Sequence, residues 1–175
     1  MTKDSLAPRH PLARGGLLRE GRDGPVLRRA TADDLPAIVA LLTDDPLGAG
    51  RESADLAPYR AAFAAVDADP AHLLVVAEDA GAVVGTLQLS FLPGLSRGGA
   101  LRAQVEGVRV AAAARGCGLG EAMLGWVAEE SRRRGAALVQ LTTDTRRPDA
   151  HRFYERLGYV PSHVGMKLEL QPVDL

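Results

Sequence analysis

Between a β-type stretch and a helical stripe lies Arg115-Gly116-Cys117-Gly118-Leu119-Gly120, the part of the chain best suited to hold an anion. The stretch before it, Val105-Glu106-Gly107-Val108-Arg109-Val110, is β-rich. After it, Leu119, Met123, Trp126 and Val127 recur at i, i+4, i+7 and i+8, which predicts a helix with one buried face. Glycines at a strand-to-helix turn leave backbone N–H groups uncovered, and the helix N-terminus adds partial positive charge. Arg115 supplies a full charge beside them. Such a turn holds a phosphate or pyrophosphate. Cys117 offers its N–H there, and nothing supports a nucleophilic thiol.

The spacing narrows the choice of ligand. A P-loop ends in Gly-Lys-Ser/Thr, whereas Gly120 is followed by Glu121 and Ala122. A dinucleotide fold needs Gly-x-Gly-x-x-Gly near the start of a βαβ unit, whereas these glycines stand at 116, 118 and 120. The pattern that fits is Arg/Gln-x-x-Gly-x-Gly/Ala, with Arg115, Gly118 and Gly120 in its fixed places. Further on, Pro148 and Asp149-Ala150-His151-Arg152-Phe153-Tyr154-Glu155-Arg156-Leu157-Gly158-Tyr159 read as a short helix. Proline takes its first position, Ala150, Phe153, Tyr154 and Leu157 share a face, and Gly158 stops it. Its pattern is Ala-x-x-Phe-Tyr-x-x-x-Gly-Phe/Tyr. These two segments, in this order, resemble the signatures of the Gcn5-related N-acetyltransferases. The resemblance is firm from about Val105 to Leu168 and a matter of element order before that.

The resemblance implies a chemistry, acetyl transfer from acetyl-CoA to an amine by direct attack in a ternary complex. A protonated amine, with a pKa of about 10.4 if lysine-like, is a poor nucleophile, so a base must take its proton. Glu106, at the end of the strand beside the thioester, is the candidate, acting directly or through water. Tyr154 stands at the family's usual general acid, which protonates the departing thiolate. Both also have structural readings: a solvated edge carboxylate and a core tyrosine. Val108 and Val110 are expected to act through backbone groups, binding the pantetheine arm where the strand splays from its neighbour. Arg109 between them shares that strand, with its side chain pointing the other way as a surface charge. The cofactor-binding set is then Val108, Arg109, Val110, Arg115, Gly116, Cys117, Gly118, Leu119, Gly120, Arg147, Ala150 and Phe153. Arg147 departs from the family, which commonly has Asn three residues before Ala150.

From Leu141 to Tyr154, and again at Ser162-His163, the chain is similar to the aminoalkylphosphonate branch of the family. That likeness implies a small amine acceptor with an anionic group met by Arg146, Arg147 or His163. Two other readings stay open: acetylation of a protein or peptide, and an acyl-CoA-binding sensor without turnover. The family commonly forms dimers, so a homodimer paired through the last strand is a further expectation.

The elements that must position these residues follow from periodicity. Met1 to about Pro25 has none and reads as a mobile tail ahead of one domain over residues 26–175. Val26–Arg29 is a first strand, and Thr31 with Asp34 caps a helix whose stripe is Leu35, Ile38, Val39 and Leu42. A second helix spans Ser53 to Val66. Strands Leu73–Glu78 and Val83–Phe91 flank the hairpin signal Asp79-Ala80-Gly81, and Pro93 to Gly99 is a loop. A fourth strand begins at Leu101, a buried strand covers Ala137–Thr143, and Gly165–Leu170 makes a final one. The expected class is α/β (α+β), with a mixed, mostly antiparallel sheet of roughly six or seven strands and about four helices. The order is β-α-α-β-β-β-α-β-α-β.

Composition agrees with one enzyme domain. The chain has 175 residues and a net charge of −1, so no basic footprint argues for nucleic acid. There is no apolar run of membrane-spanning length and no signal-peptide core, which predicts a cytoplasmic protein without a membrane partner. One cysteine forms no internal disulfide. His10, His72, His151 and His163 lack ligand spacing, so no metal is expected. The excess of Ala, Arg, Gly and Leu over Lys and Ile is that of a GC-rich bacterial genome. Arg132-Arg133-Arg134 reads as a solvated cap on the helix after the cradle.

Overall fold

Apolar and β-branched residues over His72–Asp79 (β2) and Ala82–Leu92 (β3) build the two central strands of the sheet. In the computed structural model, which describes residues 24–44 and 50–170, Ala80 and Gly81 join them with φ of 47° and 82°. Positive φ at both turn residues gives the twist that a two-residue hairpin needs. β1 (Val26–Arg29) pairs antiparallel with β2, and β4 (Arg102–Val110) with β3. β5 (Leu138–Leu141) completes the order β1-β2-β3-β4-β5. Ala137 N–H donates to the Leu101 carbonyl, and Gln140 Nε2 to Gln104 Oε1, each at 2.8 Å. Both contacts keep an offset of 36 residues, so β5 runs parallel to β4. The sheet is mixed and mostly antiparallel.

The chain divides into two compact units, Met1–Gln140 and Leu141–Leu175. In the first, α1 (Leu35–Thr43) packs on β3 and β4, and α2 (Ala57–Ala68) on β2. Ala30, Ile38 and Val76 form a buried cluster ringed by Leu42, Phe63, Leu74 and Val83. A single turn, α3 (Ser96–Gly99), stands where a loop was expected. α4 (Leu119–Arg133) lies against β3 and β4, its Met123 and Val127 fully buried. The second unit holds α5 (Pro148–Arg156).

Several expectations are met closely and others need correction. α2 begins at Ala57 rather than Ser53, because Asp55 Oδ1 accepts the Ala57 N–H at 2.9 Å and Pro58 occupies the first turn. The sheet has five strands among the described residues, not six or seven. Gly165–Leu170 adopts no strand conformation, and all six of its residues are exposed. Of the expected tail, residues 1–23 lie outside the described residues.

Two buried carboxylates brace the first unit. Asp34 accepts from the Thr31 N–H and hydroxyl, the capping contact its spacing predicted, and also takes both Arg28 Nη atoms at 2.7 and 2.8 Å. Glu130 accepts from Arg133 and Arg134 at 2.8 Å, and Arg134 stacks over Phe91 and donates to the Pro70 carbonyl. The arginine run is therefore a clasp rather than only a solvated cap. Burial pushes both carboxyls up, but the arginine hydrogen bonds outweigh it and hold them below their ordinary range. A carboxyl depressed in the folded state stabilises above its unfolded pKa and loses that stabilisation as pH falls through its folded value. The melting temperature is expected to be level above about pH 5 and to fall below about pH 4. Thermal melts of Asp34→Asn and Glu130→Gln check this: each should start lower at neutral pH and lose part of that acid slope.

Candidate active site

β4 does not run straight into the glycine turn. Thr86 of β3 pairs with Arg109, but Gln88 pairs with Glu106, so β4 carries one residue more than β3 across this step. The extra residue is a bulge, and Gly107 within it has φ of 61°, a conformation that other residues resist. Partners across an antiparallel pair share a face, as do alternate residues of one strand. Glu106 and Arg109 therefore lie on the same face of the sheet, with Gln88 and Thr86. Simple alternation puts them on opposite faces.

Glu106 is exposed, whereas Val108, Arg109 and Val110 are half-buried. Arg109 is thus more than the surface charge expected: its Nη1 donates to the Val108 carbonyl at 2.8 Å. Arg115 Nε donates to the Val110 carbonyl at 3.0 Å. The two carbonyls expected to meet the pantetheine arm each hold an arginine, with one lone pair left. On the β5 side the strand is open, because β5 ends at Leu141, level with Val105 by the same offset. Among the described residues β5 pairs with no residue of β4 beyond that level.

The turn itself has the geometry its glycines predicted. Gly116 and Gly118 have φ of 80° and 83°, and Gly118 caps α4 in the left-handed region. Its carbonyl accepts the Ala122 N–H at 3.0 Å, which leaves the N–H groups of the first helical residues Leu119, Gly120 and Glu121 without intrahelical partners. A Cβ built on Gly116 or Gly118 would meet nothing within 4 Å, so a ligand can approach the backbone closely. Cys117 is exposed, and its thiol donates to the Ala114 carbonyl at 2.9 Å. Arg115 reaches Asp44 at the end of α1, 3.3 Å away. Sequence reasoning did not find Asp44, and no local signal could have, since the two are 71 residues apart.

Asp44, α1 and the chain before α2 line a shallow, open surface depression. Pro36, Val39, Thr43, Glu52, Ser53 and Leu56 are among its lining residues. Tyr59 donates to Glu52 at 2.7 Å.

In the second unit, α5 presents Ala150, Phe153 and Tyr154 half-buried on one side, as its spacing required. The Tyr154 ring stands 5.3 Å from Phe153 and 5.8 Å from Tyr159. Burial, with Tyr154 nearby, pushes the Tyr159 phenol up. Arg147 precedes the helix, and its N–H donates to the Asp144 carbonyl, which also meets His151 Nε2. Arg146 pairs with the Asp144 carboxylate through two 2.9 Å contacts, and Ser162 with His163 at 2.8 Å. Glu106 and the cradle thus belong to one unit, and Tyr154, Phe153, Ala150 and Arg147 to the other. Among the described residues no group of three or more His, Cys, Asp or Glu is gathered to hold a metal, and no helix is long and apolar enough to cross a membrane.

Known proteins resemble this chain in sequence and fold. The sequence profile of the acetyltransferase (GNAT) family matches residues 35–159. The aminoalkylphosphonate N-acetyltransferase of Salmonella typhimurium is 34% identical over 137 residues, covering 78% of this chain and 86% of that one. The glucosamine 6-phosphate N-acetyltransferase of Trypanosoma brucei brucei is 31% identical over 147 residues, covering 82% and 95%. A solved structure from Bacillus halodurans C-125, described as a transcriptional regulator, is 43% identical with a TM-score of 0.81, covering 83% of this chain and 99% of that one.

Proposed function

The chain belongs to the acetyltransferase (GNAT) family, and from that premise we propose that it moves the acetyl group of acetyl-CoA onto a primary amine of a small molecule by direct attack in a ternary complex. The observation that carries the reading is the cradle at Arg115–Gly120, where left-handed glycines and the α4 N-terminus offer uncovered N–H groups to a pyrophosphate. Acetyl-CoA supplies an activated acyl carbon. The rest falls to this chain.

In the proposed step the amine nitrogen bonds to the thioester carbon, and the C–S bond breaks. Glu106 takes the ammonium proton, directly or through water, Tyr154 gives its proton to the thiolate, and the second proton shed by the nitrogen as the amide forms returns through solvent to the Tyr154 oxygen. Backbone groups along Val108–Val110 hold the pantetheine arm and polarise the thioester oxygen. Arg147, just before α5, and Ala150 and Phe153 on it are the side chains we assign to the arm. The acceptor we propose carries an anionic phosphate or phosphonate, as the names of the two relatives suggest. Arg109, half-buried and on the face of Glu106, is one suitable cation for it; Arg146, Arg147 and His163 of the second unit are the others we propose. A cytoplasmic protein without metal, nucleic-acid or membrane partners, with residues 26–175 as one domain, completes the reading.

A regulatory acyl-CoA binder is the second reading, favoured by the description of the Bacillus halodurans protein. The presence of both Glu106 and Tyr154 weighs against it. Thiol release from acetyl-CoA, measured across aminoalkylphosphonates, amino-sugar phosphates, polyamines, aminoglycosides, amino acids and peptides, separates the readings. Turnover with phosphate- or phosphonate-bearing amines is expected. There, Glu106→Gln should lower kcat/KM about tenfold at neutral pH and less in alkali, where solvent takes the proton unaided. Heat stabilisation by acetyl-CoA with no turnover on any acceptor would favour the binder.

A further inference from the structure

The face of the sheet that carries Glu106 changes character from β2 to β5. Pairing across the strands sets Leu74, Gln88 and Glu106 side by side, with His72, Ser90 and Gln104 in the next row. Gln140 joins that second row, since its Nε2 donates to Gln104 Oε1 at 2.8 Å. On β2 the face is apolar: Val76 and Leu74 pack with Ile38 and Phe63. From β3 outward it is rich in amides, and these are not simply left to water. Ser90 is 7% exposed, and Gln88, Gln104 and Gln140 are half-buried. The opposite face shows what a core row looks like in this sheet, with Leu73, Leu87, Leu89 and Ala103 fully buried. Contacts within the rows hold the amides without using them up. Ser90 Oγ meets His72 Nδ1 at 2.8 Å and accepts from Gln88 Nε2 at 3.4 Å. Gln104 Nε2 has a long 3.5 Å contact with the Val105 carbonyl, and among the described residues no donor reaches Gln88 Oε1 or Gln140 Oε1.

We propose that Gln88, Gln104 and Gln140 read hydroxyl groups of the acceptor, so that the amine this site takes is a polyhydroxylated one, an amino sugar rather than a plain aminoalkane. The inference deepens the acetyl-transfer reading and rests on its placing the acceptor amine at Glu106. Gln88 stands opposite Glu106, with Cβ atoms about 5 Å apart, and Gln104 lies about 7 Å along the strand. Groups next to the amine therefore fall among the amides. A carboxamide offers both donors and an acceptor, and a hydroxyl group answers both. An anion only accepts, so the two free Oε1 atoms would repel it. A bare methylene chain would cover the amides without bonding them, which costs the desolvation of each. A chain of two carbons between amine and phosphonate would also end before Gln104 and Gln140, whereas a hydroxylated six-membered ring reaches along the row.

Binding tests the row, and turnover tests the reaction. Calorimetry on the full chain with CoA present compares glucosamine 6-phosphate with its 3-deoxy and 4-deoxy analogues, which keep both charges and the ring. At least one analogue should bind the wild type about tenfold more weakly, the loss of one hydrogen bond. At least one of Gln88→Leu, Gln104→Leu and Gln140→Leu should shrink that ratio to within about twofold, because reader and hydroxyl are then lost together. A side chain that only shapes the face would weaken sugar and analogue alike and leave the ratio near ten. A ratio unchanged in all three variants overturns the inference. So do deoxy analogues that bind the wild type as tightly as the sugar, a comparison that needs no variant to fold. Turnover of aminoalkylphosphonates with no binding of the sugar keeps acetyl transfer and overturns the row. Sugar binding that depends on the amides, with no thiol released from acetyl-CoA, keeps the row and overturns the reaction.

Discussion

Tyr154→Phe should lower kcat about 10²-fold, the low end of what a positioned general acid contributes. The substitution removes one oxygen and keeps the ring. The ring's edge contact with Tyr159 at 5.8 Å and its tilted contact with Phe153 at 5.3 Å need only carbon atoms, so α5 should keep its packing. The KM for acetyl-CoA should therefore hold within about twofold while turnover collapses, because the hydroxyl is asked to act as the thiolate departs and not before. Tyr159→Phe is the control: it removes a hydroxyl from the same aromatic group, five residues on, and should change kcat little. Steady-state kinetics of the two variants decide the matter. If Tyr154→Phe turns over within about twofold of the wild type, Tyr154 is a packing residue, and another group or water protonates the thiol.

Gly118→Val should raise the KM for acetyl-CoA at least tenfold. Gly118 caps α4 at φ of 83°, where a β-branched residue is an outlier. Holding such a residue there costs of order 1–3 kcal/mol. A tenfold change in affinity corresponds to about 1.4 kcal/mol. If the turn relaxes instead, the N–H groups of Leu119 and Gly120 lose their aim at the anion. Space is not the cause, since a Cβ at this position meets no protein atom within 4 Å. Gly118→Asn tests that account, because Asn tolerates the left-handed region better than any β-branched residue. It should regain most of the thermal stability that Val loses. Should Asn bind acetyl-CoA as poorly as Val, the side chain itself blocks the cradle. A Gly118→Val protein with unchanged KM would remove the cradle from cofactor binding.

Much of this molecule was legible because its signals are local. The stripe Leu119, Met123 and Val127 sits on the core as its period required, since side chains 3.6 residues apart share a side wherever the helix lies. Asp79-Ala80-Gly81 turned the chain, and Thr31 with Asp34 made the contact their spacing allowed. The partner of Arg115 was not legible. A guanidinium in a sequence announces a charge but not its counterion, and Asp44 comes from another element. Gly165–Leu170 shows the opposite failure: its alternation describes a strand accurately, but a strand exists only against an edge.

The candidate site divides in the same way. The sequence by itself determined the left-handed glycine turn before α4 and the aromatic face of α5, because each depends on backbone freedom or helical period within about ten residues. Only the tertiary structure decided which face of β4 each side chain takes. Register is set by the partner strand, and β3 pairs with β4 in a way that admits one extra residue at Gly107. That single residue reverses the alternation and puts Arg109 on the face of Glu106, because side chains in a strand alternate with period two, whatever the sequence intends.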